Sequence, residues 1–393
     1  MDQPTKFSFS DFLVPLFSAL DRFTQSPHWR VKTVALCVLC MGLFQFPDYR
    51  SLYAYAVVHT ESNDAYDTFA QQVAHPLAAH PADYGSHESK MAFRLALPLL
   101  ARALHLNIFG VLVLQLLVGV LMLWALLTLC ERLTLDRPTA LLLVLGACCT
   151  YFGGAFLHDV FCYFDAFGYA VLVLLLLSRR PAVIYGLSVA GAFLDERVAV
   201  ASLLVLLWHS LRLPAETVPQ LRRPAATWAG AAVVAGWLTY AGLRWWLGAA
   251  HGLRTDGGGV GLEALRLNLL HKNAALGFLT GLESFWLLVA LAVLVLAARR
   301  QGLLAAALVL AFGPVAGGSF LVFDITRSLA YGFPAVLLAL VVLTHYFTRH
   351  ALRHIALVVC AVAVLIPNYA LHGQVSYAES LFEKIFRTLL AAT

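Results

Sequence analysis

Apolar runs of bilayer length, separated by short arginine-bearing segments, recur along this chain between residues 33 and 371. A bilayer's hydrocarbon core takes roughly 20 mainly apolar residues per helical crossing. Inside lipid every backbone group must be satisfied within the protein, so the runs are helices rather than open strands. Composition agrees: 61% of residues are hydrophobic and 12% charged, against roughly 25% charged in soluble domains. The expected fold is an all-α polytopic integral membrane protein with about eleven transmembrane helices.

The runs fall at about 33–47, 108–130, 139–157, 162–178, 181–194, 198–211, 225–249, 274–298, 302–322, 328–347 and 355–371. This organisation predicts an N-terminal segment over 1–32, a transmembrane domain over 33–371 with a long polar loop at 48–93, and an amphipathic tail over 372–393. With mixed residues preceding it, the first run reads as an uncleaved anchor rather than a cleavable signal. Residues 8–24 alternate apolar and charged positions as an interfacial helix does, and Pro15 predicts a kink there. LALPLLARAL, at 95–104, is too short to cross and is expected to be re-entrant or interfacial.

Arginine sets the orientation, because short cytoplasmic loops collect Lys and Arg. With Arg30 and Lys32 inside, the segments 131–138, 179–180, 212–223, 299–300 and 349–354 all fall on the cytoplasmic side, and all bear arginine. The opposite side receives 48–93, 158–165, 195–197, 251–273 and 324–327, which hold nearly all the acids. Glu283 lies in the outer part of the run 274–298. The formal charge of +5 thus reflects topology, and no basic stripe points to nucleic acid. The seven cysteines sit in or beside apolar runs and read as buried small side chains.

Ionisable groups at a membrane boundary are costly and therefore mark candidate sites. Asp64 and Asp67, in NDAYD, offer a general base or a cation ligand; acids in the first turn of a loop helix are the plain alternative. His158, Asp159 and Asp165, in HDVFCYFDAFGYA, stand between two apolar runs. Asp159 and Asp165 would face apart on a continuous helix, whereas a break at the surface would gather them into one cavity. Asp195, Glu196 and Arg197 stand between two runs with almost no loop, so at least one must point inward or pair internally: a Glu196–Arg197 pair is the plain reading, a carboxylate on a metal or substrate the sharper one. Asp324 and Arg327 share a helix face as an ion pair, and a planar guanidinium also suits a phosphate. Lys90 and Arg94 precede an apolar stretch, where a lipid-linked phosphate headgroup would sit. TDGGGVG follows no strand and lacks the lysine of a phosphate-binding loop. His59, His75, His80 and His87 have no metal-ligand spacing.

With KMAFRLALPLLA, FDAFGYA, LDER and DITR in view, the chain resembles small bacterial members of the C-type (GT-C) superfamily of polytopic membrane glycosyltransferases. The likeness rests on an acidic first outer loop, a further acid near the next outer loop and many runs joined by short inner loops. It implies transfer of a sugar from a polyprenyl-phosphate donor to a lipid, glycan or protein on the outer side; Leu- and Ala-rich runs with Arg far exceeding Lys point to a bacterial inner membrane, whose outer side is the periplasm. The likeness implies Asp64 or Asp67 as the base; Asp165 is the third catalytic candidate, and the outer carboxylates could hold a divalent cation (Mg or Mn). This chain departs from the pattern in having no DxD in the second outer loop and only a short tail. The competing class is a transporter or flippase using the same acids as relays. Against it, no inverted repeat and no matching pair of Gly/Pro-broken runs is present.

Overall fold

A computed structural model describes residues 9–44, 49–58, 64–78, 91–212, 220–221, 227–255, 261–270, 274–366, 369–371, 375–377 and 381–391. Lys90 and most of the long polar loop lie outside the described residues, as does the side chain of Asp64.

The chain opens with α1 (Phe9–Gln25) and α2 (Trp29–Phe44), then α3 (Arg50–Tyr53) with a π turn at Ala54–Val58, α4 (Asp64–Ala74) and α5 (Ala96–Ala103). A central series follows: α6 (Ile108–Thr134), α7 (Arg137–Cys148), α8 (Tyr151–His158), α9 (Asp165–Leu177), α10 (Pro181–Leu194), α11 (Glu196–Ser210) and α12 (Trp228–His251). The last group is α13 (Leu262–Leu270), α14 (Ala274–Leu282), α15 (Trp286–Ala298), α16 (Gly302–Phe320), α17 (Ile325–Ala330), α18 (Pro334–Tyr346), α19 (Arg349–Leu365) and α20 (Leu381–Ala391). Two short antiparallel hairpins complete the described structure: β1 (Leu211–Arg212) with β2 (Gln220–Leu221), and β3 (Tyr369–Leu371) with β4 (Val375–Tyr377).

Every expected apolar run is built largely of helix. By length and composition, three helical stretches are long and apolar enough to cross a membrane: Ile108–Thr134, Ala274–Ala298 and Gly302–Phe320. A fourth qualifies if the bent pair α7–α8 counts as one. That pair replaces the straight run expected over 139–157, turning by 57°. Gly153 permits the turn, since a Cβ there would lie 2.0 Å from the Ala147 carbonyl oxygen. The last run also differs: α19 begins at Arg349, ahead of the expected start, and ends at Leu365, while Tyr369–Leu371 forms a strand. Pro367 disfavours helix in the residue before it and cannot continue one. Pro15 lies inside α1, which stays helical from Phe9 to Gln25.

Polar residues just outside the apolar runs define the helix starts. Asn107, Asp136, Asp195, Thr227 and Thr348 each accept a hydrogen bond from a backbone N–H in the first turn that follows, supplying partners the helix itself cannot provide.

Two helices run through the centre. From Pro334 to Leu343 every residue of α18 is buried, and nearly all of α9 is buried too, as expected of helices apolar on all sides. The arrangement decides where polar chemistry can sit. Asp165 is the first residue of α9, and α17 delivers Arg327 and Tyr331 just ahead of α18. The short helix α17 is held by α14 through a close approach: a Cβ on Gly277 would meet Ile325 at 2.8 Å, and one on Gly281 would meet Leu329 at 2.6 Å. Small residues one turn apart let two helix backbones approach in this way.

Candidate functional site

The turn that precedes α9 is organised by a single carboxylate. Asp159 Oδ1 accepts the backbone N–H groups of Phe161 (3.3 Å) and Tyr163 (3.4 Å), and Oδ2 accepts that of Asp165 (3.3 Å). Cys162 and Phe164 take left-handed backbone angles, with φ 61° and 59°, uncommon for residues with a Cβ. The helix thus breaks between His158 and Asp165, and the break brings Asp159 and Asp165 together. Gln115 of α6 fixes the same turn by donating to the Asp159 carbonyl at 2.8 Å. Tyr66 of α4 donates to the Val160 carbonyl at 2.7 Å.

Asp165 is 1% exposed, and both its oxygens are engaged. Oδ1 receives Arg197 Nη2 at 2.9 Å and the Tyr331 hydroxyl at 2.8 Å. Oδ2 receives the Tyr151 hydroxyl at 3.1 Å and lies 3.2 Å from Arg327 Nε. The same two arginines carry the network outward. Arg197 reaches Asp195 Oδ2 at 2.6 Å and donates to Ser328 Oγ at 3.1 Å, while Arg327 lies 2.9 Å from Asp324 Oδ2. Asp195 in turn holds Arg94 at 2.9 Å, and Glu196 lies 3.8 Å from Arg94 and 3.2 Å from Arg244. These contacts form one alternating chain: Arg244, Glu196, Arg94, Asp195, Arg197, Asp165, Arg327, Asp324. It is formally neutral and joins α12, α11, the segment before α5, α9 and α17.

The electrostatics explain how so many charges stay buried. Burial alone would push the Asp195 carboxyl up, but Arg197 and Arg94 outweigh it and hold the group well below the usual carboxylate range. Burial likewise disfavours the Arg327 cation, and Asp165 and Asp324 more than compensate. Asp159 has the opposite balance. Burial, reinforced by the neighbouring Asp165 charge, pushes it up to about 7 despite Arg327 and its backbone donors.

The chain of ions leaves hydrogen-bonding capacity unused. Arg327 is 6% exposed, stacks over the Tyr163 ring at 3.7 Å, and its buried Nη1 has no hydrogen-bond partner among the described residues. The buried Nε and Nη1 of Arg94 are in the same condition. Buried donors of this kind are costly unless something fills them, and a planar guanidinium is matched best by a carboxylate or phosphate.

Sequence reasoning named most of this cluster. Arg94, Asp159, Asp165, Asp195, Glu196, Arg197, Asp324 and Arg327 are gathered at one end of the central helices. His158 lies beside it, its ring 5.0 Å from that of Tyr151. Asp67 is on α4, one residue past Tyr66, and accepts a hydrogen bond from Tyr55 at 2.8 Å. Asp64 begins the same helix. Arg244 went unnamed, although a cation within an apolar run such as YAGLRWWLG is itself a signal. Tyr151, Tyr163 and Tyr331 carry no such mark in sequence, because tyrosine is common in apolar runs. Among the described residues no group of three or more His, Cys, Asp or Glu is arranged to hold a metal ion.

No family model, curated protein or solved structure matches this chain.

Proposed function

We propose that this chain is a GT-C-like membrane glycosyltransferase that moves a sugar from a polyprenyl-phosphate donor to a lipid, glycan or protein acceptor. In this reading its helices make eleven crossings of a bacterial inner membrane, with the N-terminus in the cytoplasm and the ion chain at the periplasmic face. The observation that carries the reading is the pair Arg94 and Arg327. Each keeps a buried, unpartnered guanidinium nitrogen at the head of apolar helices, where the phosphate of a water-insoluble donor would meet the boundary of the hydrocarbon. The donor's chain needs an apolar surface, its phosphate needs cations, and both are adjacent here.

The residues divide the work by how fully they are already bonded. Asp165 accepts from two tyrosines and contacts two arginines, so it holds the cations in register rather than taking a proton. Asp67, with Asp64 on the same helix, is the acceptor-side base. An acceptor hydroxyl gives its proton to that carboxylate as its oxygen bonds to the sugar's anomeric carbon. The bond from that carbon to the phosphate oxygen breaks, and polyprenyl phosphate leaves with its charge held by Arg94 and Arg327.

The test is transfer in nanodiscs from a defined polyprenyl-phosphate sugar, followed by release of polyprenyl phosphate. Release expected in the wild type should be lost in Asp67→Asn and in Arg327→Lys while the fold persists. Movement of the intact donor between leaflets, without release, would instead support a flippase.

A further inference from the structure

The stretch Ala274–Ala298 has the length and hydropathy of a membrane crossing, yet it is broken in its interior at an acid. Helix α14 stops at Leu282, Glu283–Phe285 form a single 3-10 turn, and α15 resumes at Trp286. Glu283 sits in the left-handed region at φ 49°. A residue with a Cβ takes that conformation rarely and keeps it only when its surroundings enforce it. Here they do. Ser284 Oγ donates across to the Val359 carbonyl of α19 at 2.8 Å, and Trp286 Nε1 donates back to the Phe278 carbonyl at 2.9 Å. Two side-chain bonds thus hold the break open.

The break presents a carboxyl to a cavity. Glu283, Ser284, Trp286 and Leu287 line one side of a space of about 350 Å³, with Val358 and Val362 of α19 opposite. Benzene fills an apolar cavity of roughly 150 Å³, so this one takes a considerably larger molecule. Leu287, Val358 and Val362 are 44%, 50% and 39% exposed, so the cavity opens sideways, toward what would be lipid. Glu283 Oε2 is buried without a hydrogen-bond partner, and no cation among the described residues is within ion-pair distance of Glu283. Ser284 is committed to Val359. Among the described residues, this otherwise apolar groove therefore holds a carboxyl oxygen left without a hydrogen-bond partner.

We propose that Glu283 and this groove form a binding site for a lipophilic amine that arrives laterally from the bilayer. Its hydrocarbon part lies between α15 and α19, and its ammonium pairs with Glu283. An isolated carboxylate in hydrocarbon is strongly disfavoured, and a cation carried by the ligand removes that cost where a hydroxyl or a second carboxyl would not. The site is separate from the ion chain around Asp165 and does not depend on sugar transfer.

Trp286 lines the groove and reports occupancy directly. The full-length protein in nanodiscs would be titrated with a brominated long-chain alkylamine, reading quenching of tryptophan fluorescence, with Trp286→Phe giving the background from other tryptophans. Saturable quenching that vanishes in Trp286→Phe is expected. It should weaken about tenfold in Glu283→Gln, the loss expected for a hydrogen bond to a charged group, and to a similar degree with the matching alcohol. Equal quenching by amine and alcohol, or unchanged affinity in Glu283→Gln, would reduce the groove to a slot for annular lipid and overturn the proposal. If Glu283→Gln fails to insert, Ala290→Phe decides, since Ala290 also lines the groove and phenylalanine fills it without adding a tryptophan. Loss of saturable quenching in that variant supports the site, and its persistence contradicts it.

Discussion

Two ion clusters stand at opposite ends of the bent pair α7–α8, and they are built differently. At the start of α7, Asp136 caps the helix and receives Arg353 through Nε at 2.8 Å and Nη2 at 2.7 Å, while Arg353 Nη1 donates to Asp21 of α1 at 3.1 Å. Every nitrogen of that guanidinium is bonded. Nearby, Glu131 receives Arg30 and Arg137. Beyond α8, the Asp165 chain is longer and more deeply buried, yet Arg94 and Arg327 keep buried nitrogens that bond to nothing among the described residues. A fully bonded cluster fastens helices together. One with unfilled, pre-positioned donors leaves hydrogen-bonding capacity that a ligand can take up. The contrast separates a latch from a site more cleanly than the number of charges does.

The largest expected effect comes from breaking the Asp165 chain in its middle. Arg197→Met leaves Asp165 and Asp195 buried without their shared cation. It should cost roughly 3–5 kcal/mol, the usual penalty for removing one partner of a buried pair, read as loss of thermal stability in nanodiscs. Arg353→Met, at the latch, should cost less, about 2 kcal/mol, and leave any activity at the other end intact. Equal losses would erase the distinction. Next in size is Gly281→Val, whose added carbons must displace Leu329 and with it α17; it should lower both stability and activity, since Arg327 rides on that helix.

The two ends should also differ in pH response. Asp159 is raised to about 7 in the folded protein, so folding takes up a proton there that an unfolded carboxyl would release. Its contribution is fully present below the ordinary carboxylate range and is lost as pH rises through about 7. Stability should therefore increase from about pH 8 to about pH 5, and Asp159→Asn should flatten that slope. Asp136 is lowered: burial opposes its charge, but bonds from Arg353 and Thr139 outweigh it. Its contribution is present above the ordinary carboxylate range and is lost only as pH falls below it. An Asp159→Asn protein that keeps the wild-type slope would assign it elsewhere. The smallest effect is Tyr55→Phe, which removes one hydrogen bond from Asp67 and should change stability by about 1 kcal/mol.

Several helix starts were legible in sequence because a polar residue stands just before an apolar run. Asp136, Asp195 and Asp324 announced themselves in this way, and so did the break between Asp159 and Asp165. What sequence did not show is which partners meet. Arg197 could have paired with its neighbour Glu196, yet it turns to Asp195 and Asp165, while Glu196 goes to Arg244 from α12. That choice is made by packing among helices distant in sequence. The bend at Thr150 was hidden because its run is continuously apolar and the close approach of Gly153 to Ala147 leaves no mark in hydropathy; Glu283 marked its run as unusual, but the turn there depends on Ser284 bonding across to Val359 of α19.

On the proposed function, the Asp165 end receives a lipid-linked phosphate through Arg94 and Arg327. Native mass spectrometry of the protein with a polyprenyl phosphate, comparing wild type, Arg94→Gln, Arg327→Lys and Arg353→Gln, tests it most directly. The account predicts a one-to-one complex in the wild type and in Arg353→Gln, and about tenfold weaker binding in the other two. Equal retention of the lipid by all four proteins would contradict it.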